Sequence, residues 1–144
     1  MEQATTGSGR NTAVGNEAME ETTTGYYNVA VGSNSLESNT TGHSNVAIGI
    51  NALLNSNGSS NVAIGGFALD ANTTANNNVA IGMDALTANT TGAQNIGVGR
   101  GALGSNTTGT DNCAIGHNAM GSATNTGSGR NNAFGYEALQ DLTT

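Results

Sequence analysis

Asn39-Thr40-Thr41-Gly42-His43-Ser44-Asn45-Val46-Ala47-Ile48-Gly49-Ile50-Asn51-Ala52-Leu53 is one unit of a repeat that fills most of this 144-residue chain. Aligned on the Asn that opens each apolar run, the copies are marked by Asn11, Asn28, Asn45, Asn61, Asn78, Asn95, Asn112 and Asn131, in steps of 17, 17, 16, 17, 17, 17 and 19 residues. A Gly follows four residues after each of these Asn, from Gly15 to Gly135. An Ala-Leu or Ala-Met pair comes next, with Ser35-Leu36 as the one departure.

Val46-Ala47-Ile48 alternates large and small apolar residues, the period-2 pattern of a short strand with two unlike faces. The Gly after it allows a positive φ and so a sharp turn. Helical repeats are excluded: the period is not a multiple of a heptad, each unit carries several Gly and Asn breakers, and a helical repeat needs about 33 residues or more. The expected fold is therefore all-β, a parallel β-helix or β-roll solenoid of about eight coils of about 17 residues. It forms one domain over 1–144, with terminal coils near 5–20 and 125–140. Coils stacked about 4.8 Å apart would make a rod roughly 38 Å long.

Stacking gives each column of equivalent residues a role. The eight Asn form a structural ladder, each amide bonding the coils above and below. The Val, Ile and Leu columns are expected inside, and the Ala column from Ala13 to Ala133 outside, where identical subunits could approach closely. The apolar content of one coil is small for the chain it must order, which also favours a homo-oligomer. Asn-Thr-Thr-Gly forms a corner, because Asn and Thr side chains bond nearby backbone.

Composition narrows the function. Gly, Asn and Thr supply 22, 22 and 20 residues, and the net charge is −7 with Arg10, Arg100 and Arg130 as the only basic side chains. Nucleic acid requires several cations to displace phosphate counterions, so no nucleic-acid partner is expected. No apolar run is long enough for a membrane span or a signal-peptide core, and Met1-Glu2-Gln3-Ala4 is not a targeting sequence. The lone Cys113 takes a Val/Ile position and is expected to be a small buried hydrophobe.

No catalytic, metal or cofactor site is expected. His43 and His117 occupy different registers and are expected to be exposed loop residues, and Asp70, Asp84 and Asp111 share no column. The sequons at Asn39, Asn72, Asn89 and Asn106 fall out of the repeat and carry no message about glycosylation. The first and last repeats match: Gly7-Ser8-Gly9-Arg10-Asn11 recurs as Gly127-Ser128-Gly129-Arg130-Asn131, and Glu17 matches Glu137. Arg and Glu at these positions are expected to pair across the coil. Binding is expected where a residue breaks a regular column: Tyr26, Tyr27, Ile50, Phe67 and Met83.

The consensus N-T-T-G-x-x-N-V-A-I-G-x-x-A-L resembles the head repeats of trimeric autotransporter adhesins of the YadA-like type, and also arrays in phage tail fibres. It covers roughly Thr5 to Leu139. The resemblance implies a left-handed β-roll, three chains side by side, and adhesion to a surface receptor or glycan from a cell surface or virion. This unit is longer than the adhesin head unit, and no neck, stalk or anchor follows Leu139 here. The leading expectation is thus an extracellular adhesin or tail-fibre segment without catalysis. The alternatives are a filament subunit stacked end to end, or an ice-binding solenoid presenting Thr40-Thr41, Thr73-Thr74, Thr90-Thr91 and Thr107-Thr108. Adjacent Thr are expected to face opposite ways, and the columns break at Ser56-Asn57 and Asn125-Thr126.

Overall fold

The computed structural model describes residues 9–123 and 129–142. Eight strands form in it: β1 (Thr12–Val14), β2 (Val29–Val31), β3 (Val46–Ile48), β4 (Val62–Ile64), β5 (Val79–Ile81), β6 (Ile96–Val98), β7 (Cys113–Ile115) and β8 (Asn132–Phe134). They pair in chain order into one sheet. Every pairing is parallel and in register, with Val46 beside Val62 and Ala47 beside Ala63. The chain is a parallel β-solenoid. The irregular steps leave the strands untouched, since Cys113 still pairs with Asn132 across the longest one. Gly7-Ser8, Gly127-Ser128, Asn125-Thr126 and Met1-Glu2-Gln3-Ala4 lie outside the described residues.

Left-handed backbone makes the coil close. In the third coil Ser44, Asn51 and Leu53 have φ of 60°, 55° and 53°. A non-Gly residue there costs about 1–2 kcal/mol, yet each keeps a bond to an adjacent coil. Ser44 N–H donates to Tyr26 O at 3.0 Å, Asn51 N–H to Ser33 O at 3.0 Å, and Leu53 N–H to Ala68 O at 3.0 Å. Gly49 meets a stricter demand. Its φ is 134°, and a Cβ there would lie 2.6 Å from the Gly65 carbonyl.

The interior reverses the expected sidedness. Ala30, Ala47, Ala63, Ala80 and Ala114 are fully buried, and the Val and Ile of the same strands point outward. The cause is the narrow bore of the coil. Leu36, Leu53, Leu69, Leu86 and Leu103 fill it from the opposite wall. Gly97 measures the remaining space, because a Cβ at this strand position would already touch Leu86 Cγ at 3.4 Å. A methyl fits there and an isobutyl does not. The expectation that the Ala column is an outer face for another chain is therefore wrong. Ser35, which breaks the Ala-Leu pair, is accommodated because its hydroxyl donates to Gly32 O at 3.0 Å.

Candidate functional site

The Asn ladder forms the buried seam beside the sheet. Asn28, Asn45, Asn61, Asn78, Asn95 and Asn112 are buried, while Asn11 and Asn131 in the outer coils are half-buried. Each rung works mainly through backbone. Asn45 Oδ1 accepts the Asn61 N–H at 2.9 Å, and Asn45 Nδ2 donates to Gly58 O at 2.8 Å. The amide-to-amide bond is longer in the central coils, as from Asn61 Nδ2 to Asn45 Oδ1 at 3.3 Å, and matches the backbone bond at Asn112, where both are 3.1 Å.

A second ladder went unread in the sequence. Asn39, Asn72, Asn89 and Asn106 are fully buried, with Ser56 in line between the first two. Asn39 closes its own corner by accepting from Gly42 N–H at 2.9 Å and donating to Gly42 O at 3.1 Å. Asn106 Nδ2 reaches Asn89 Oδ1 at 2.9 Å. These four are the sequon asparagines, and burial removes them from any modifying enzyme acting on the folded chain. The available signal was their recurrence at a fixed offset from the first ladder.

The short coil has its own repair. At this corner one Thr carbonyl can take several N–H groups, as Thr40 O does from Thr23 at 3.1 Å, Thr24 at 2.9 Å and Gly25 at 3.2 Å. One residue of the Thr pair is missing in the third coil. Asn57 Oδ1 substitutes, accepting Thr40 N–H at 2.8 Å and Thr41 N–H at 3.1 Å.

Outside, two apolar columns run along the sheet. Val31, Ile48, Ile64 and Ile81 are exposed, and Val29, Val46, Val62 and Val79 beside them are half-buried. Cys113 belongs to the second column and is half-buried on this outer face. It is not the buried core residue expected.

The candidate binding residues divide between the two margins of this face. Tyr26 and Tyr27 precede the strands. Their rings meet edge to face at 5.1 Å, and Tyr26 stacks on His43 at 4.8 Å. Arg10 does not pair with Glu17; it donates to the Tyr27 hydroxyl and lies 5.3 Å from that ring. Glu17 instead accepts from Asn34 at 2.8 Å. Ile50, Phe67 and Met83 follow the strands at the other margin and are exposed. His117 stacks on Tyr136 at 5.3 Å. Both histidines are thus half-buried in tyrosine stacks rather than freely exposed. In each case a Tyr and a His occupy one column in successive coils, a signal present in the alignment.

Both members of each Thr pair face outward or partly outward, because this corner is not strand. The first hydroxyl is already committed: Thr73 and Thr90 donate to Thr90 O and Thr107 O, each at 3.1 Å. In the second column the Thr41 hydroxyl also has a partner, Asn57 Oδ1 at 3.4 Å.

Acidic groups gather once among the described residues, where Glu17, Glu20 and Glu37 bring carboxylate oxygens within 4.8 Å of one another. Asn34 Nδ2 donates to both Glu17 and Glu37, so two of the three already share a hydrogen-bond donor. No helix among the described residues is long and apolar enough to cross a membrane. Comparison of the chain with protein-family models, with curated proteins and with solved structures found no match.

Proposed function

We propose that this chain is a segment of an extracellular surface fibre or adhesin, on a cell or a virion, that assembles side by side with copies of itself and performs no catalysis. One observation carries the reading: the outward Val/Ile columns. Ile48, Ile64 and Ile81 are 39%, 36% and 37% exposed. Two columns along a rod of this length cover on the order of 300–400 Å² at strand spacing, the size of the largest apolar patch on a typical monomer, which is often a functional one. No residue of either column carries a charge from β2 to β7, although the chain as a whole is strongly acidic.

The best-fitting occupant is a second copy, because its columns repeat at the same spacing. Two chains meeting on one stripe would bury roughly 700 Å² in total, less than the ~1,200 Å² of a stable interface. Three stripes converging on one axis also enclose the Ile50, Phe67 and Met83 margin, which favours a trimer, in keeping with the repeat's resemblance to trimeric adhesin heads.

Light scattering on the isolated chain is expected to give three times the chain mass. The double variant Ile48→Lys/Ile81→Lys should become monomeric while keeping its β-type circular dichroism. A wild-type chain that remains monomeric at high concentration sinks the reading.

A further inference from the structure

The geometry points to a saccharide-binding groove on the side of the solenoid beyond the Gly99 and Gly116 corners, spanning the fifth to eighth coils, with a short neutral oligosaccharide as its ligand. The groove has a volume of about 350 Å³. Glycine makes it. Gly104 and Gly121 fall in a column that elsewhere carries Glu20, Glu37, Leu54, Asp70, Thr87 and Gln140. Neither has a positive φ, although a Cβ would be tight at both, 3.1 Å from Gly101 O at Gly104 and 3.1 Å from Asn118 O at Gly121. Gly101 lies in the neighbouring column at φ 67°, a conformation that Asn51, Asp84 and Asn118 adopt there with side chains. The missing side chains of Gly104 and Gly121 leave a trough in an otherwise filled wall.

The walls are polar, and apart from Thr87, whose hydroxyl donates to Asp70, their side chains are uncommitted. Asp84, Arg100, Ser105, Asn118, Ser122 and Gln140 line the groove, and none of their side chains bonds another described residue. Towards the N-terminal end the same columns are satisfied internally: Asn34 holds Glu17, and at the groove's first coil Thr87 donates to Asp70 at 2.8 Å. Asn118 fills the place that a Gly101 side chain would take, its Oδ1 2.4 Å from where a Gly101 Cβ would sit.

This donor and acceptor set selects the ligand. One carboxylate and one guanidinium cancel, so the lining attracts neither anions nor cations, and the net charge of −7 further disfavours anionic ligands. The remaining groups are hydroxyls and amides, which exchange hydrogen bonds with a polyhydroxylated chain in either direction. A peptide would look for apolar pockets or an open strand edge, and the groove provides neither. The site deepens the adhesive part of the proposed function. Its test measures binding and not assembly, so the two can fail separately.

The experiment presents the full chain to immobilised neutral tetrasaccharides of glucose, galactose, mannose and N-acetylglucosamine, then titrates any hit by calorimetry. At least one should bind. Gly104→Thr/Gly121→Thr, which repeats Thr87 along its column, should weaken that binding tenfold or more with unchanged mass and β-type circular dichroism, at a somewhat lower melting temperature because both added Cβ atoms press on carbonyl oxygens. Asp84→Ala and Arg100→Ala touch no internal partner, and should each weaken binding severalfold on a folded chain. Binding to none of the four, binding equally well to the filled groove, or binding indifferent to both single variants overturns the proposal.

Discussion

Asn45 and Asn61 are joined by a 2.9 Å bond from the Asn61 backbone N–H to the Asn45 side-chain oxygen, although 16 residues separate them instead of the usual 17. The rung keeps its length because the deletion is absorbed at the Thr corner, away from the ladder. Coil-to-coil templating thus operates on individual buried groups, and removing one exposes what it supports.

Asn61→Leu should destabilise the chain by about 2–4 kcal/mol in urea unfolding, since each buried group left unpaired costs about 1–3 kcal/mol. The group stranded is the Asn78 N–H, bonded to Asn61 Oδ1 at 2.9 Å; the Ala75 carbonyl loses its shorter bond, from Asn61 Nδ2 at 2.9 Å, and keeps only the one from Asn72 Nδ2 at 3.2 Å. Asn61→Asp retains the acceptor but can donate to Ala75 O only when protonated. Burial raises its folded pKa above the unfolded value near about 4. Its stability should therefore be greatest in acid and decline as pH rises through the folded pKa. Thr74→Ala, on the exposed corner, should change little.

Asn57→Ala tests the same chemistry at the surface. It removes the acceptor for Thr40 and Thr41 N–H, but water can replace it because these bonds are exposed. The expected loss is only about 0.5–1.5 kcal/mol. Asn57→Asp should be nearly neutral, since only the oxygen is used. A loss as large as that of Asn61→Leu would show that the short coil depends on this side chain for its shape.

Gly82 and Gly135 separate crowding from backbone strain. Both have positive φ, at 125° and 122°. A Cβ on Gly82 would lie 2.7 Å from the Gly99 carbonyl, whereas a Cβ on Gly135 meets nothing within 4 Å. Gly135→Ala should cost the strain alone, about 1–3 kcal/mol. Gly82→Ala adds a backbone clash and should separate β5 from β6, seen as faster amide exchange along both strands.

The period, the strands and the first ladder were legible because each repeats at one alignment position. Sidedness was not. Alternation in Val46-Ala47-Ile48 announces two faces without saying which is inner, and hydrophobicity alone favours the larger residues. The decision belongs to Leu53, whose left-handed backbone turns it into the bore and leaves room only for Ala across from it. That conformation is rare for Leu and nothing in its identity announces it. The groove was hidden for a related reason: Gly104 and Gly121 look like ordinary turn glycines, and only their place in a column of larger side chains shows the space they leave.

Ala63→Leu and Ile64→Leu put the sidedness to a direct test with neighbouring residues. Ala63 is fully buried and Ile64 is exposed. Overpacking at Ala63 should cost at least about 1–3 kcal/mol, while Ile64→Leu should leave unfolding within about 0.5 kcal/mol of wild type. The opposite order would restore the Val/Ile columns to the interior and remove the basis of the proposed assembly.

Cys113 supplies the last test from within the native sequence. It stands in an outward column of β7, and three chains meeting in register on these columns would bring three Cys113 thiols to one height around the axis. Mild oxidation should then link two of the three, giving a dimer band on a non-reducing denaturing gel that Cys113→Ser abolishes. Maleimide should label Cys113 slowly in the assembled chain and quickly in Ile48→Lys/Ile81→Lys. A cysteine placed at Ser44, on the exposed margin before β3, should label at one rate in both backgrounds. Equal labelling of Cys113 before and after dissociation would mean that the stripe faces water in the assembly and that the chains meet elsewhere.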